Sequence, residues 1–251
     1  MIAIKNEMQQ AGIRKSAALL GEVFARIGGS IAPGITTKDI DRIVEETIRA
    51  GGGVPAFLGY GGFPASVCAS VNDRVIHGIP GNEKLSAGDI VGCDIGVILD
   101  GYYSDACKTY AVGPLSAPNK ALLDVTRASL DAAIAACGPG GRVKDIGRAV
   151  METVRPHGYG IVYSYCGHGV GLALHEDPQI PNYYPSRGSN TRLKPGMVLA
   201  IEPMVNAGVP EVEVLDDGWT VVTADGAMSA HFEHTVLITE NGAEVLTSWG
   251  E

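Results

Sequence analysis

The chain has 251 residues, of which 45% are apolar, and carries a formal net charge of -9. This apolar content is enough for a sizeable buried core, and a chain of this length fits within one compact domain. Because the charge is acidic and no run of Lys and Arg occurs, we do not expect stable binding to nucleic acid or to anionic lipid as the main activity.

Neither export nor membrane insertion is indicated by the sequence. The first residues, MIAIKNEMQQAGIRKS, contain no apolar segment of the kind found in secretion signals, and no stretch approaches the ~20 apolar residues of a membrane span. The cysteines form no Cys-x-x-Cys pair and have no regular spacing: Cys68, Cys93, Cys107, Cys137 and Cys166. Scattered cysteines of this kind are typical of reduced thiols, so we predict a cytoplasmic protein.

A helical segment occurs twice in the chain. Residues 33–49 read PGITTKDIDRIVEETIR and residues 139–155 read PGGRVKDIGRAVMETVR, with identical residues at 10 of 17 positions. Each copy has a Pro-Gly loop followed by apolar residues at helical spacing, which predicts an amphipathic helix. Another helix is predicted before each copy, over about residues 5–28 and 118–137.

A second segment repeats at nearly the same offset. LSAGDIVGCD (85–94) aligns with LKPGMVLAIE (193–202), and each copy is a turn ending in Gly followed by a β-rich run. Both copies end on a carboxylate, Asp94 or Glu202. Chance similarity of two amphipathic helices does not explain this second match, so we infer an internal duplication.

The order of elements predicts an α+β fold. In each half the helices precede the strands instead of alternating with them, which favours a largely antiparallel sheet. No long linker separates the halves, so we predict one domain over residues 1–251, with halves of about 1–115 and 116–251. The predicted strands are 54–58, 66–71, 89–99, 102–112, 168–174, 197–205, 211–215, 219–224 and 229–239.

Two carboxylates are brought together by a predicted hairpin. Asp100-Gly101 between two β-rich runs is a strong signal for a two-residue turn. This turn places Asp105 opposite Gly96, and Asp94 diagonally across from Asp105, about 7–8 Å away at Cα. Gly96 would leave open space between the two acids. A metal site and a pair of solvated acidic residues on one sheet face both remain compatible with this pattern.

The duplication adds two further carboxylates. Glu202 takes the position of Asp94, and the strand that follows carries Glu233 among apolar residues, as Asp105 lies in the first half. We therefore predict that Asp105 and Glu233 are a second equivalent pair. Four carboxylates at one axis would repel each other strongly without cations, and so many oxygen ligands suit a dinuclear site for Mn, Fe(II), Co or Zn.

Among the six histidines, His168 in CGHGVG is the best ligand candidate because its flanking glycines allow close approach. His175 in LHEDP and His77 before a Gly-x-Pro turn are further candidates. His231 and His234 lie on either side of the last carboxylate, and we expect them to support the ligands or to line the rim. A hydrogen-bonded histidine near the surface is the alternative for each of them.

Five segments resemble, in order and spacing, the signature segments of the type I methionine aminopeptidases: VNDRVIHGIP, DIGVILDGYYSDA, CGHGVGLALHEDP, AIEPM and FEHT. The resemblance covers essentially the whole chain. It implies the pita-bread fold, in which two pseudo-symmetric halves surround a curved antiparallel sheet with helices on the outer face. It also implies a metallo-aminopeptidase that removes the initiator methionine from nascent polypeptides and prefers a small second residue.

Carried over position by position, the resemblance implies a metal-ligand set and three catalytic groups. Glu202 would handle the proton of the attacking water as general base. His175 would polarise the scissile carbonyl and stabilise the oxyanion, while His77 would contact the scissile amide nitrogen. The metal ligands implied are Asp94, Asp105, His168, Glu202 and Glu233.

The resemblance further implies an apolar pocket for the methionine side chain. In three positions this chain departs from the commonest family pattern. Phe57 stands where a cysteine is frequent, Phe63 where a tyrosine is frequent, and Leu174 where an aromatic residue is usual. These differences keep the pocket apolar and change its volume. The pocket residues implied are Phe57, Tyr60, Phe63, Cys68, Leu174 and Trp219.

The implied cofactors are two divalent metal ions, for which Co, Mn, Fe(II), Zn and Ni are all compatible, and a monovalent cation such as Na held by backbone carbonyls near Asn72 and Ser229. The expected partners are N-termini of nascent polypeptides, with transient ribosome contact. We expect a monomer and no specific binding of nucleic acid or membranes.

Three other functions compete with this interpretation. An Xaa-Pro aminopeptidase or prolidase usually has an additional amino-terminal domain, for which we expect no room here. A non-catalytic binding module of the same fold would have lost metal ligands. A dinuclear phosphoesterase would show more histidine ligands than this sequence offers.

Overall fold

The computed structural model describes residues 2–138, 140–184 and 190–250. Pro139, with which the second copy of the repeated helix segment begins, lies outside these residues. The helices are α1 (Glu7–Gly28), α2 (Thr37–Ala50), α3 (Ala117–Ala135) and α4 (Val143–Val154), with short 3-10 helices at Tyr60–Gly62 and Arg155–His157.

The strands of the first half end in a long hairpin: β1 (Val54–Pro55), β2 (Cys68–Val71), β3 (Arg74–Ile76), β4 (Ile90–Leu99) and β5 (Tyr102–Ala111). The described strands of the second half are all shorter than the two strands of this hairpin: β6 (Gly160–Ile161), β7 (Cys166–Gly169), β8 (Glu176–Pro181), β9 (Val198–Ile201), β10 (Met204–Asn206), β11 (Val212–Val214), β12 (Val221–Thr223), β13 (Ser229–His231), β14 (His234–Thr239) and β15 (Gly242–Val245).

Capping groups explain where three of the helices begin. The side chain of Asn6 accepts a hydrogen bond from the backbone of Gln9 at the start of α1. Helix α2 begins after Thr36, whose hydroxyl accepts the N–H of Asp39. At the start of α4 the direction is reversed, because the side chain of Asp145 within the helix accepts the backbone N–H of Arg142 before it. Each interaction satisfies backbone groups that a helix terminus leaves without partners.

The two halves repeat the same connections around these helix starts. Thr36 forms an isolated antiparallel bridge with Lys84, and Arg142 forms the matching bridge with Arg192. In both cases the partner directly precedes the repeated Leu-x-x-Gly turn. Helix α1 packs on α2, and α3 packs on α4. The duplication inferred from the sequence is therefore visible in the tertiary structure.

All strand pairs are antiparallel, as predicted for an α+β fold. In the first half, β4 pairs with β5 and with β1 and β2. In the second, one sheet has the order β15-β14-β9-β7-β8 and another the order β13-β10-β6. A third sheet, β11-β12-β3, pairs two strands of the second half with a strand of the first. Buried residues of both halves form one large apolar cluster, in which helix faces from α1 to α4 meet the strands.

The predicted hairpin is confirmed in its register. Leu99 pairs with Tyr102, and Gly96 pairs with Asp105. Asp100 and Gly101 have positive φ values of 52° and 82°, the backbone that a two-residue type I′ turn requires.

Several predicted strands have different bounds. The strand predicted over 168–174 is wrong beyond Gly169, because the chain leaves the sheet and reaches a φ of +127° at Gly171. The runs predicted over 197–205 and 229–239 are each interrupted, at Glu202-Pro203 and Phe232-Glu233. Pro203 cannot donate a ladder hydrogen bond, which explains the first interruption. Strands β3, β6, β8 and β15 were not predicted.

Within the part of the chain that the structure describes, no helix combines the length and the apolar character needed to cross a bilayer.

Candidate metal centre

Five side chains from both halves converge on one cavity. Asp94 lies on β4 and Asp105 on β5, while His168 lies on β7. Glu202 directly follows β9, and Glu233 directly precedes β14. All five line the same cavity. The two strand interruptions of the second half therefore occur at the two carboxylates that this half contributes.

The symmetry between the halves differs from the predicted one. Cys107 and Glu233 exchange both backbone hydrogen bonds, with N···O distances of 3.4 and 2.8 Å. In the first hairpin Cys107 lies opposite Asp94. The β9–β14 register, extended by one residue, places Glu233 opposite Glu202. The equivalent of Glu233 is thus Cys107.

The predicted equivalence of Asp105 and Glu233 is wrong by two residues. Asp105 lies two residues before Cys107, and His231 lies two residues before Glu233. Asp105 therefore corresponds to His231. Because side chains along a strand repeat every two residues, this shift keeps all four residues on the same face. The carboxylates still meet, although Asp105 and Glu233 are not symmetry mates.

The carboxylates are packed closely, and several of their oxygens have no hydrogen-bond partner among the described residues. Asp105 and Glu233 are buried, and Asp94 and Glu202 are partly exposed to the cavity. One oxygen each of Asp94, Asp105 and Glu233 is buried without a hydrogen-bond partner among the described residues. Uncompensated buried carboxylates are costly. A cation bound between them would supply the missing partner, so this donor set fits a divalent metal site.

Burial changes the protonation of these acids in the metal-free protein. It raises the pKa of Asp94 to about 7. Burial, together with the charge of neighbouring carboxylates, raises the pKa of Asp105, Glu202 and Glu233 well above the usual range. Metal binding must therefore displace protons from this cluster, and it should weaken as the pH falls.

His168 is oriented as a metal ligand would be. Its Nδ1 lies 2.9 Å from the carbonyl oxygen of Gly169, so Nδ1–H donates and Nε2 keeps its lone pair. Nε2 lies 3.5 Å from Glu202 Oε1 and 3.9 Å from Asp105 Oδ2. Burial lowers the pKa of His168 to about 4. The imidazole is therefore neutral at pH 7 and available to a metal. One ligand atom each of Asp105, His168 and Glu233 lies within 4.8 Å of the other two.

Two further histidines flank this cluster. The ring of His175 lies 4.3 Å from the ring of His168, and its Nδ1 is 2.8 Å from the hydroxyl of Tyr60. His77 lies at the end of β3 with a φ of 57°, with its ring against Trp219. Burial lowers the pKa of His77 to about 4, so this imidazole too is neutral at pH 7.

The predicted methionine-pocket residues form one apolar wall beside the carboxylates. The buried members Phe57, Phe63, Cys68 and Leu174 pack together, and Trp219 meets Phe63 edge-on at 5.2 Å. Cys68 on β2 pairs directly with Asp94, which joins the pocket to the metal cluster. All the residues predicted for the site line this cavity: Phe57, Tyr60, Phe63, Cys68, His77, Asp94, Asp105, His168, Leu174, His175, Glu202, Trp219 and Glu233.

The space predicted above Gly96 is not open. A Cβ atom at Gly96 would lie 2.8 Å from the ring of Phe57 and 2.9 Å from the Cβ of Ala56. Phe57 thus fills the space between the hairpin and the cavity, which a hairpin considered alone could not reveal.

Two residues around the site were not predicted from the sequence, and one of the two histidines beside Glu233 lies elsewhere. Ile76 lines the cavity, and Tyr165 packs edge-on against His77 at 5.9 Å. His231 is buried with its Nε2 3.7 Å from Glu202 Oε2, so it lies inside the site beside a ligand candidate, which agrees with the first of its two predicted positions. His234 instead stacks on Trp249 at 4.0 Å. The alternation of side chains along a strand explains this difference, because 231 and 233 share a face and 234 does not.

Comparisons with known proteins agree with this geometry. The chain is 48% identical to a methionine aminopeptidase of Clostridium perfringens, over 98% of this chain and 99% of that protein. The crystal structure of methionine aminopeptidase from Rickettsia prowazekii has a TM-score of 0.96 at 38% identity, covering 99% of this chain and 100% of that one. The one from Thermotoga maritima has a TM-score of 0.95 at 45% identity, again covering 99% and 100%.

These similarities confirm the resemblance stated from the sequence segments and the pita-bread fold that it implies. The model of Metallopeptidase family M24 matches residues 11–240. The chain therefore belongs to metallopeptidase family M24.

Proposed function

We propose that this protein is a methionine aminopeptidase that hydrolyses the N-terminal methionine from polypeptides, with a preference for a small second residue. The observation that carries the proposal is the direct contact between an apolar pocket and a buried carboxylate–histidine cluster. Cys68 of the pocket pairs with Asp94 of the cluster across two neighbouring strands. A methionine side chain in the pocket would thus bring its own amide bond to the cluster.

Two divalent metal ions would be held by Asp94, Asp105, His168, Glu202 and Glu233. When bound, such ions polarise a carbonyl and lower the pKa of water. Asp94 and Asp105 would lose their protons when the metal ions bind, because the cations replace the protons that burial otherwise retains on these carboxyl groups.

The surrounding side chains have complementary roles in this proposal. Glu202 would accept the proton of the attacking water as general base. His175 would donate from Nε2 to the scissile carbonyl oxygen, and the Tyr60 hydroxyl can hold the required tautomer by donating to Nδ1. His77, neutral at pH 7, would contact the scissile amide nitrogen. The free amino terminus of the substrate would lie near Asp94.

An Xaa-Pro aminopeptidase is the closest alternative, because it can use the same ligand set. The near-complete match in length to a relative named methionine aminopeptidase supports the methionine assignment instead. So does the pocket formed by Phe57, Phe63 and Leu174, which offers an apolar surface for a flexible thioether.

The test is hydrolysis of N-terminal tripeptides by protein reconstituted with Mn, Co, Fe(II), Zn or Ni. Met-Ala-x should be cleaved and Leu-Pro-x should not. The opposite preference would move the assignment to the Xaa-Pro group. His168→Ala and Glu202→Ala should abolish cleavage while the fold is retained, whereas Glu213→Gln, at an exposed acid of β11, should have no effect. Full activity in either ligand variant would contradict the proposed metal centre.

We propose a monomeric, single-domain protein of the cytoplasm that acts on nascent chains during transient ribosome contact. A monovalent cation such as Na would be held by carbonyls near Asn72 and Ser229. These two residues are already joined by a hydrogen bond from Ser229 N–H to the Asn72 carbonyl oxygen, at 2.8 Å.

A further inference from the structure

Lys5, in the segment before α1, is buried as a charged side chain. Only 1% of its side chain is exposed, and its Nζ lies 2.7 Å from Glu176 Oε2. Its backbone N–H donates to the Gly196 carbonyl oxygen at 2.8 Å, which fixes the segment to the second half of the chain. A buried ammonium group needs a charged or polar partner, and this one contacts the first residue of β8.

The same carboxylate holds a loop of the active site. Glu176 Oε1 accepts the backbone N–H groups of Leu172 and Ala173, at 2.7 and 3.2 Å. These residues belong to the loop 170–175 between β7 and β8, which also carries Leu174 and His175. One oxygen of Glu176 therefore binds the backbone of the loop, and the other binds the ammonium group of Lys5.

The lysine stem also supports the loop from beneath. Gly171 has a φ of +127°, and a Cβ atom there would lie 3.3 Å from Lys5 Cε and 2.5 Å from Ile13 Cδ1. The loop thus runs directly over the lysine stem and the first turns of α1. Leu172 is 41% exposed, so the outer part of the loop has little packing of its own. The Glu176 carboxylate holds this outer part, together with a hydrogen bond from Gly171 N–H to the Ala173 carbonyl oxygen at 3.1 Å, while Tyr103 N–H binds the Gly171 carbonyl oxygen at 2.9 Å.

We propose that Lys5 is a positioning residue that acts through Glu176 to hold His175 at the scissile carbonyl. This proposal rests on the role of His175 given under the proposed function. Without the ammonium, Glu176 Oε2 becomes a buried carboxylate oxygen without its cation, and the carboxylate turns toward water. This movement loosens the two N–H contacts that shape the loop. A displacement of about 1 Å in a catalytic group is enough to lower a rate by ~100-fold.

The test is a double-mutant cycle between Lys5→Met and His175→Ala, measured as kcat for Met-Ala-x with the metal-loaded full chain. Lys5→Met should lower kcat at least tenfold in the wild-type background and less than twofold in the His175→Ala background, because its effect passes through His175. Glu176→Gln, which keeps an oxygen for the loop N–H groups and loses the ion pair, should behave in the same way and serves if Lys5→Met fails to fold.

Arg14→Met is the control, because Arg14 also forms an ion pair from the N-terminal part of the chain, but at the surface and with Glu244 of β15 instead of with Glu176. It should leave kcat unchanged. Equal losses from Lys5→Met in both backgrounds would show a merely structural role and overturn the proposal. If kcat is unchanged in Lys5→Met or Glu176→Gln while His175→Ala lowers it, the positioning role of Lys5 is contradicted. The catalytic role of His175 is then still supported. Unchanged kcat in His175→Ala would overturn both.

Discussion

The hydroxyl of Thr235 binds both backbone groups of Asp105. It accepts the Asp105 N–H at 3.0 Å and donates to the Asp105 carbonyl oxygen at 2.7 Å. Thr109 makes the symmetry-related pair of hydrogen bonds with the backbone of His231, at 2.9 and 2.7 Å. With the Cys107–Glu233 pair between them, these threonines continue the strand pairing across the junction of the two halves. The backbone of one metal-ligand candidate is thus fixed by a side chain of the other half.

Thr235→Val should therefore lower both stability and metal affinity. The valine fits the volume but leaves a buried N–H and C=O of Asp105 without partners, which costs about 1–3 kcal/mol. Denaturant unfolding and calorimetric metal titration would measure the two effects. Thr47→Val removes a hydroxyl that bonds only to the preceding turn of α2, so it should change stability by less than about 0.5 kcal/mol and leave metal affinity unchanged. Equal losses of stability and of metal affinity in Thr235→Val and Thr47→Val would contradict the prediction.

The metal-free protein should lose stability as the pH rises from about 6.5 to 8.5. In this window the carboxyls of the unfolded chain are already ionised, whereas those of the folded cluster still release protons because burial raises their pKa. The folded state then binds more protons than the unfolded state, so stability falls with rising pH. Asp94, with a pKa of about 7, accounts for about 1 kcal/mol of this loss.

The buried histidines set the lower limit of this pH window. Burial lowers the pKa of His168 to about 4 and that of His231 to about 3, so they contribute stability that grows with pH up to about 6.5 and is constant above it. Thermal unfolding of the metal-free protein at several pH values would measure the decline. The metal-loaded protein should not show it. A flat or rising profile of the metal-free protein above pH 6.5 would contradict the raised carboxyl pKa values.

Tyr60→Phe should lower kcat with little change in KM. The phenylalanine keeps the ring that lines the pocket but loses the hydroxyl 2.8 Å from His175 Nδ1. In the proposed function this hydroxyl donates to Nδ1, so that the imidazole proton lies on Nε2. Loss of one such hydrogen bond is worth about 1 kcal/mol, or roughly fivefold in rate. Tyr163→Phe, at a similarly exposed tyrosine that packs on Tyr183, should be neutral. An increase in KM alone would show that the hydroxyl contributes to binding instead.

Gly96→Ala should raise KM for methionyl peptides. The new methyl group would lie 2.8 Å from the Phe57 ring, so Phe57 must move within the pocket wall, and overpacking of this kind costs about 1–3 kcal/mol. Gly92→Ala on the same strand is the control, because its nearest new contact is an ordinary 3.6 Å. Adding Phe57→Leu to Gly96→Ala should recover part of the lost affinity. Equal KM values for the two alanine variants would contradict the proposed role of Phe57 as pocket wall.

Much of this protein was determined by local sequence patterns. The repeated helix and strand segments predicted the two halves, and the Asp100-Gly101 turn set the register that brings Asp105 opposite Gly96. Both are short-range signals, since a helix face and a two-residue turn depend on neighbours along the chain. The duplication predicted that Asp94 and Glu202 lie close together, because they occupy equivalent positions in the two halves.

Contacts between distant segments were decided only by the tertiary structure. The equivalence of Asp105 with His231 depends on how the two halves pair across their junction. No pattern within either half shows that Asp105 corresponds to His231 and not to Glu233, two residues later. The loop after Gly169 leaves the sheet although its sequence resembles a strand, because Glu176 binds its backbone and Lys5 binds Glu176. Lys5 and Glu176 are 171 positions apart in the chain, so their pairing, and the placement of His175 that follows from it, exists only once the whole core has formed.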